Sequence, residues 1–191
     1  MNVTNFTTKT QCRGVFTIEL AIIAIFMSTI LVFTSDVVIK QSIQGMLDRM
    51  SYSAVSVIKE RTQLYTDADA TSTSAFRTQS AQINQIVQKS LKRTMSHFDS
   101  ARYAVVFERY HFENNDTQIS KITYQAGDSV TCGSPVNLTL VKAKSLSPVT
   151  NEDRRADIYQ VTVCYRTDNW YGRLVDQDYE WVRSNSIMIG R

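Results

Sequence analysis

The spacing of hydrophobic positions changes twice along the chain. From Val15 to Phe33 apolar residues run almost unbroken, as VFTIELAIIAIFMSTILVF, with Glu19 the one ionisable residue and no Gly or Pro. About 20 apolar residues, rising roughly 1.5 Å each, cross the hydrocarbon core of a bilayer. A core helix of a soluble protein keeps a polar face, and this run has none. It predicts a membrane-spanning helix over 15–39. Beyond it, Ile39, Ile43, Met46/Leu47, Met50, Ala54 and Val57/Ile58 recur at spacings of three and four. Lys40, Gln41, Gln44, Asp48, Arg49 and Lys59 occupy the other side. That pattern extends the helix as an amphipathic segment over 40–65, its apolar stripe packed beneath the rest of the chain or, along part of its length, against helices of other subunits. Gly45 lies inside it, weakening the helix by about 1 kcal/mol relative to Ala, and is expected on the surface.

Thr66 to Ala75 is polar and follows neither period, which predicts a loop; Asp67 and Asp69 there lack the further oxygen ligands of a calcium loop. Phe76, Ile83, Ile86/Val87, Leu91, Met95 and Phe98 then predict a second amphipathic helix, with Lys89, Lys92 and Arg93 near its C-terminal end, where cations suit the helix dipole. From Arg102 the period becomes that of strands. ARYAVVFERYHF is rich in aromatic and β-branched residues, and Asn114–Asn115 suits a turn before a return strand over Ile119–Tyr124. Val136–Val141 is a weaker strand candidate. Ile158–Arg166 alternates, with Tyr159, Val161, Val163 and Tyr165 opposite the more polar Gln160, Thr162 and Cys164. Tyr179–Ile189 closes the set, and Trp170, Tyr171, Tyr179 and Trp181 are expected in the core or against the sheet, with a sticky exposed surface as the alternative. Helices first and strands later predict an α+β fold with a C-terminal antiparallel sheet over 66–191.

The apolar run is too long for an ordinary cleaved secretory signal, and no small-residue cut site follows it. Lys9 and Arg13 precede it without an acidic partner, so the positive-inside rule holds this short leader in the cytoplasm and sends the remainder outward. Glu19 is then anomalous. A carboxylate at a bilayer's centre costs about 2.5–3.5 kcal/mol, less near the interface. Cleavage after Gly14 would supply a cation, the new amine of Val15. Val15 and Glu19 stand at i and i+4, on one side of a helix.

RGVFTIEL resembles the type IV prepilin signature: a short basic leader, Gly at the cut and Glu at the fifth mature position, matched by Gly14, Val15 and Glu19. The resemblance implies a leader over 1–14, removed by a prepilin peptidase of the inner membrane between Gly14 and Val15. It also implies that Glu19 guides assembly by meeting the N-terminal amine of an adjacent subunit. The first mature residue is Val where such pilins commonly have Phe, so amino-terminal methylation is not carried over. LDRMSYSAVSVIKERTQLY, Leu47 to Tyr65, is similar to the TadF group of the tight-adherence (Flp/Tad) pilus system. The resemblance covers roughly residues 11–65. Glu19-Leu20 departs from the Glu-Tyr of the short major pilin, and the long extracytoplasmic part fits a minor pseudopilin better.

The implied partners are the prepilin peptidase, sibling pilins or pseudopilins and the inner-membrane assembly platform. The implied setting is a single pass of the bacterial inner membrane, N-terminus cytoplasmic and C-terminal part periplasmic, with adherence and biofilm formation as the outcome. A pseudopilin of a type II secretion or another type IV pilus system, and an uncleaved bitopic sensor or binding protein, remain as alternatives.

Composition adds exclusions. At 191 residues, 20% charged and 43% hydrophobic, the chain holds one globular part plus an extension. A net charge of +3 with no Lys/Arg block argues against nucleic acid. Cys12 falls in the leader, whereas Cys132 and Cys164 fall outside the cytoplasm, where a disulfide between them is expected. His97 and His111 have no ligand spacing to a Cys or to each other, and no nucleophile elbow, phosphate loop or dinucleotide fingerprint occurs. No enzyme activity, small-molecule substrate, metal or cofactor is expected.

Overall fold

The computed structural model describes residues 13–64, 72–113, 118–127, 132, 138–149 and 154–190. Helix α1 (Arg13–Leu64) is continuous over 52 residues, about 78 Å at the rise of an α-helix. Its two halves differ in environment. Every residue from Phe16 to Leu31 is exposed. The hydroxyls of Ser28, Thr29, Thr34 and Ser35 donate to carbonyls three or four residues back, so these polar side chains are satisfied within the helix. Packing begins near Asp36, which is buried and pairs with Lys40 one turn on at 2.7 Å. From there Leu47, Ser51, Ala54, Val55 and Ile58 form the buried line of the helix. Gly45 faces open space, as expected of a surface glycine.

The buried line rests on one antiparallel sheet of β1 (Tyr103–Glu113), β2 (Gln118–Gly127), β3 (Ile158–Arg166) and β4 (Trp181–Ile189), in the order β2-β1-β3-β4. Strand alternation sends Tyr103, Val105 and Phe107 of β1, and Tyr159, Val161, Val163 and Tyr165 of β3, to the helix side. Helix α2 (Thr73–Thr94) joins α1 there, burying Phe76, Ile83, Val87 and Leu91. It starts at Ser72, whose hydroxyl accepts from the Ala75 amide, and ends with Lys92 and Arg93 in its last turn. The Tyr103 hydroxyl donates to Asn84 Oδ1 at 2.9 Å, tying α2 to the sheet. At the α1–β4 contact small side chains permit close approach: Ser51 Oγ lies 2.8 Å from Ser184 Oγ and from Ser186 Oγ.

The other face of the sheet is covered by the β2–β3 connection, so the architecture has three layers. Tyr110, Phe112 and Ile158 pack against Leu138 and Ala143 of this connection. The polar side of β3 is therefore buried as fully as its apolar side. Part of the expected Val136–Val141 strand lies outside the described residues. Within the described part the reading is corrected, because helix α3 (Leu140–Leu146) begins there. Thr139 caps it by accepting from the Lys142 amide, a local bond that favours a helix start over an extended chain. Asp67 and Asp69 lie outside the described residues.

Arg109, 1% exposed, is held at the end of this core by Asp157. Its Nε and Nη2 donate to Asp157 Oδ2 at 2.9 and 2.6 Å, while His111 Nδ1 lies 2.7 Å from Oδ1. Burial acts to raise the Asp157 pKa, but the His111 hydrogen bond and the Arg109 charge outweigh it and hold the carboxyl below its usual value of 3.8. A carboxyl depressed on folding contributes stability above its unfolded pKa, and that stability is lost as pH falls through the lower folded value. Acid unfolding followed by circular dichroism should thus show stability falling below about pH 4 in the native chain. An Asp157→Asn variant should show a shallower acid limb; equal limbs would remove Asp157 from this role.

Candidate functional site

The exposed half of α1 is the feature that requires an explanation outside the chain. Phe16, Ile22, Ile25, Phe26 and Leu31 are each more than 60% exposed, and they point in all directions around the helix. An apolar surface of this kind is stable in water only when something covers it. The segment is long and apolar enough to cross a membrane, with a mean hydropathy of 2.4 and none of its apolar window buried.

Arg13, Gly14 and Val15 lie in the first turn of α1. Glu19 follows in the same unbroken helix and is exposed. It is the only ionisable residue between Arg13 and Asp36. Helix geometry puts Glu19 over Val15, one turn apart. A carboxylate among apolar residues is costly without a cation or hydrogen-bond donors. Lys9 and Cys12 lie outside the described residues.

Cys132 and Cys164 are joined in a disulfide, with their Cα atoms 5.7 Å apart. Both are fully buried, beside Ala104, Val106 and Trp181 on the face opposite the helices. The bridge pins the β2–β3 connection to central strand β3. Neither sulfur is available as a nucleophile or metal ligand in this form. Among the described residues, no group of three or more His, Cys, Asp or Glu side chains comes together to hold a metal. His111 is engaged by Asp157, and the His97 carbonyl accepts from the Tyr165 hydroxyl at 3.2 Å.

One further feature lies where the exposed and packed halves of α1 meet. The β3–β4 connection carries a short helix, α4 (Trp170–Val175), that packs on α1 through Tyr171 and Phe33, whose ring centroids are 4.7 Å apart. Here the expectation for the aromatic residues is corrected. Trp170 and Tyr179 are over half exposed instead of buried, Trp170 at the start of α4 and Tyr179 in the segment between α4 and β4. Trp181 and Tyr171 are half-buried.

The family model described as "Putative tight adherence pilin protein F" (TadF) matches residues 7–191. A search of the curated proteins and of the solved structures finds no match. The family match spans the exposed apolar helix, the second helix and the four-stranded sheet together. An N-terminal helix left uncovered for other molecules, carried by an α+β body, is therefore the form taken here by a member of the TadF family of tight-adherence pilin proteins.

Proposed function

We propose that this chain is a minor pilin, or pseudopilin, of a Tad-type pilus, acting by assembly with other pilus subunits. It is made as a precursor whose leader, residues 1–14, is removed by prepilin peptidase between Gly14 and Val15. Residues 15–39 cross the inner membrane, 40–65 continue the helix outside it, and 66–191 form the periplasmic part. Lys9 and Arg13 hold the leader on the cytoplasmic side. The observation that carries the reading is Glu19, alone in an exposed apolar helix and one turn from the position where cleavage creates an amine. The amine and carboxylate of neighbouring subunits then neutralise one another in a low-dielectric setting, where an unpaired charge is most costly. The Cys132–Cys164 bridge supports the orientation, since disulfides persist in oxidising compartments. Helix α1 passes from the inner-membrane assembly platform into the pilus without leaving an apolar environment, exchanging lipid for sibling helices.

Deleting the gene for this chain in its own bacterium tests the role. The expected result is loss of surface Tad pili, with adherence and biofilm formation reduced while the major pilin is still made. Normal piliation in the deletion strain would refute the assembly role, and restored secretion of a soluble enzyme on complementation would favour a secretion pseudopilin.

A further inference from the structure

We infer that the β3–β4 connection is a membrane-resting foot, seating Trp170, Leu174, Val175 and Tyr179 in the interfacial layer of the leaflet from which α1 emerges. The inference rests on the reading of α1 as a membrane span. From Phe16 to Phe33 the helix rises about 26 Å, close to the roughly 30 Å hydrocarbon thickness of a bilayer. The ring of Tyr171 meets Phe33 edge-on at 4.7 Å, so α4 is attached at the end of that span. One turn beyond, in the last stretch of the 15–39 span, the Asp36–Lys40 ion pair sits at the level of the headgroups, and Lys40 Nζ stands 5.9 Å from the Tyr179 ring centroid.

The exposed side chains match this position. Trp170 is 55% exposed, Leu174 66%, Val175 42% and Tyr179 54%. Trp170 and Leu174 are i and i+4 in α4, so they share one side. Trp and Tyr favour the headgroup level, where the ring is apolar and its N–H or O–H stays wet.

The connection is a built unit. Asn169 Oδ1 accepts from the Gly172 amide at 3.1 Å, and Asn169 Nδ2 donates to the Gln177 carbonyl at 2.7 Å. The Thr167 amide and hydroxyl both donate to the Glu180 carbonyl, at 2.7 and 3.0 Å. A Cβ on Gly172 would collide with the Asn169 side chain and the Gln177 carbonyl, so this fold of the connection requires glycine. It therefore holds its apolar residues outward at a fixed height along α1.

Charge selects the lipid chemistry. Asp168, Asp176, Asp178 and Glu180 outnumber Arg166 and Arg173 in this stretch. The foot is thus suited to zwitterionic headgroups and gains nothing from anionic ones. Its attachment is by aromatic and aliphatic insertion.

The test uses the full chain carrying Trp181→Phe, so that Trp170 is the remaining tryptophan, reconstituted in phosphatidylcholine nanodiscs. Lipids brominated near the headgroup should quench Trp170 emission about twofold, with little effect from lipids brominated near the chain ends. Added phosphatidylglycerol should not strengthen the quenching. A parallel chain with Trp170→Phe, Trp181→Phe and Phe26→Trp reports the span itself and should be quenched by deep bromines. Quenching at Phe26→Trp without quenching at Trp170 would overturn the foot and leave the span intact. Absence of quenching at both would overturn the foot together with the span. Trp170 shielded only when other pilus subunits are added would assign the patch to a subunit contact and also overturn the foot.

Discussion

Replacing Glu19 with Ala should leave synthesis, membrane insertion and leader removal intact while reducing incorporation into pili by at least about thirtyfold. The size follows from the environment. Truncating one partner of a desolvated charge pair costs about 2–5 kcal/mol, largely because the other charge is left buried and alone. Every 1.4 kcal/mol is roughly a factor of ten in an equilibrium. In α1 no alternative partner is available from the helix itself, since no other ionisable residue lies between Arg13 and Asp36. Glu19→Gln keeps the shape and hydrogen-bonding capacity and removes the charge, so it should fail nearly as badly as Glu19→Ala. Immunoblots of sheared pili against membrane fractions measure both variants. Wild-type incorporation of Glu19→Gln would show that charge pairing is not what the position supplies.

Removing the bridge with Cys132→Ala and Cys164→Ala together should cost about 3–4 kcal/mol of stability, with the melting temperature lower by roughly 10 °C. The crosslink spans 32 residues of sequence, a loop whose closure entropy in the unfolded chain sets that size. The damage should concentrate on the face away from the helices. There Ala104, Val106 and Trp181 pack around the bridge. Farther along the same face the connection keeps a separate attachment, with Leu138 and Ala143 in a second cluster and the Tyr110 hydroxyl donating to the Leu138 carbonyl at 2.9 Å. Thermal melts in detergent, with hydrogen exchange to locate the loss, separate the two regions. Protection lost equally across α1 and α2 would contradict a local pin.

The parts of this fold that are legible in sequence are those with a long internal period. Helix α1 is readable because its stripe repeats over many turns, and β3 because Tyr159, Val161, Val163 and Tyr165 alternate without a break. The buried line is narrower than the stripe suggests, because Ile39 and Val57 remain 46% and 38% exposed while Ser51 is buried against two serines of β4. Alternation alone said nothing of what covers the side of β3 bearing Gln160, Thr162 and Cys164; that depends on a connection arriving from elsewhere in the chain. Helices α3 and α4 are too short to carry a period. Each depends on one capping side chain, Thr139 or Asn169, and α4 also on Phe33, far away in sequence. Arg109 and Asp157 meet across 48 positions, a pairing that no local pattern announces. The candidate site differs from these because it needs no long-range contact to be noticed. A single carboxylate in an apolar run stands out without any tertiary information.

The most direct measurement is the N-terminal sequence of the membrane-extracted protein, from cells with and without prepilin peptidase. If assembly runs through Glu19 and an amine on Val15, the mature chain begins Val-Phe-Thr-Ile-Glu when the peptidase is present and keeps an uncut leader when it is absent. A chain beginning at Met1 under both conditions would contradict it.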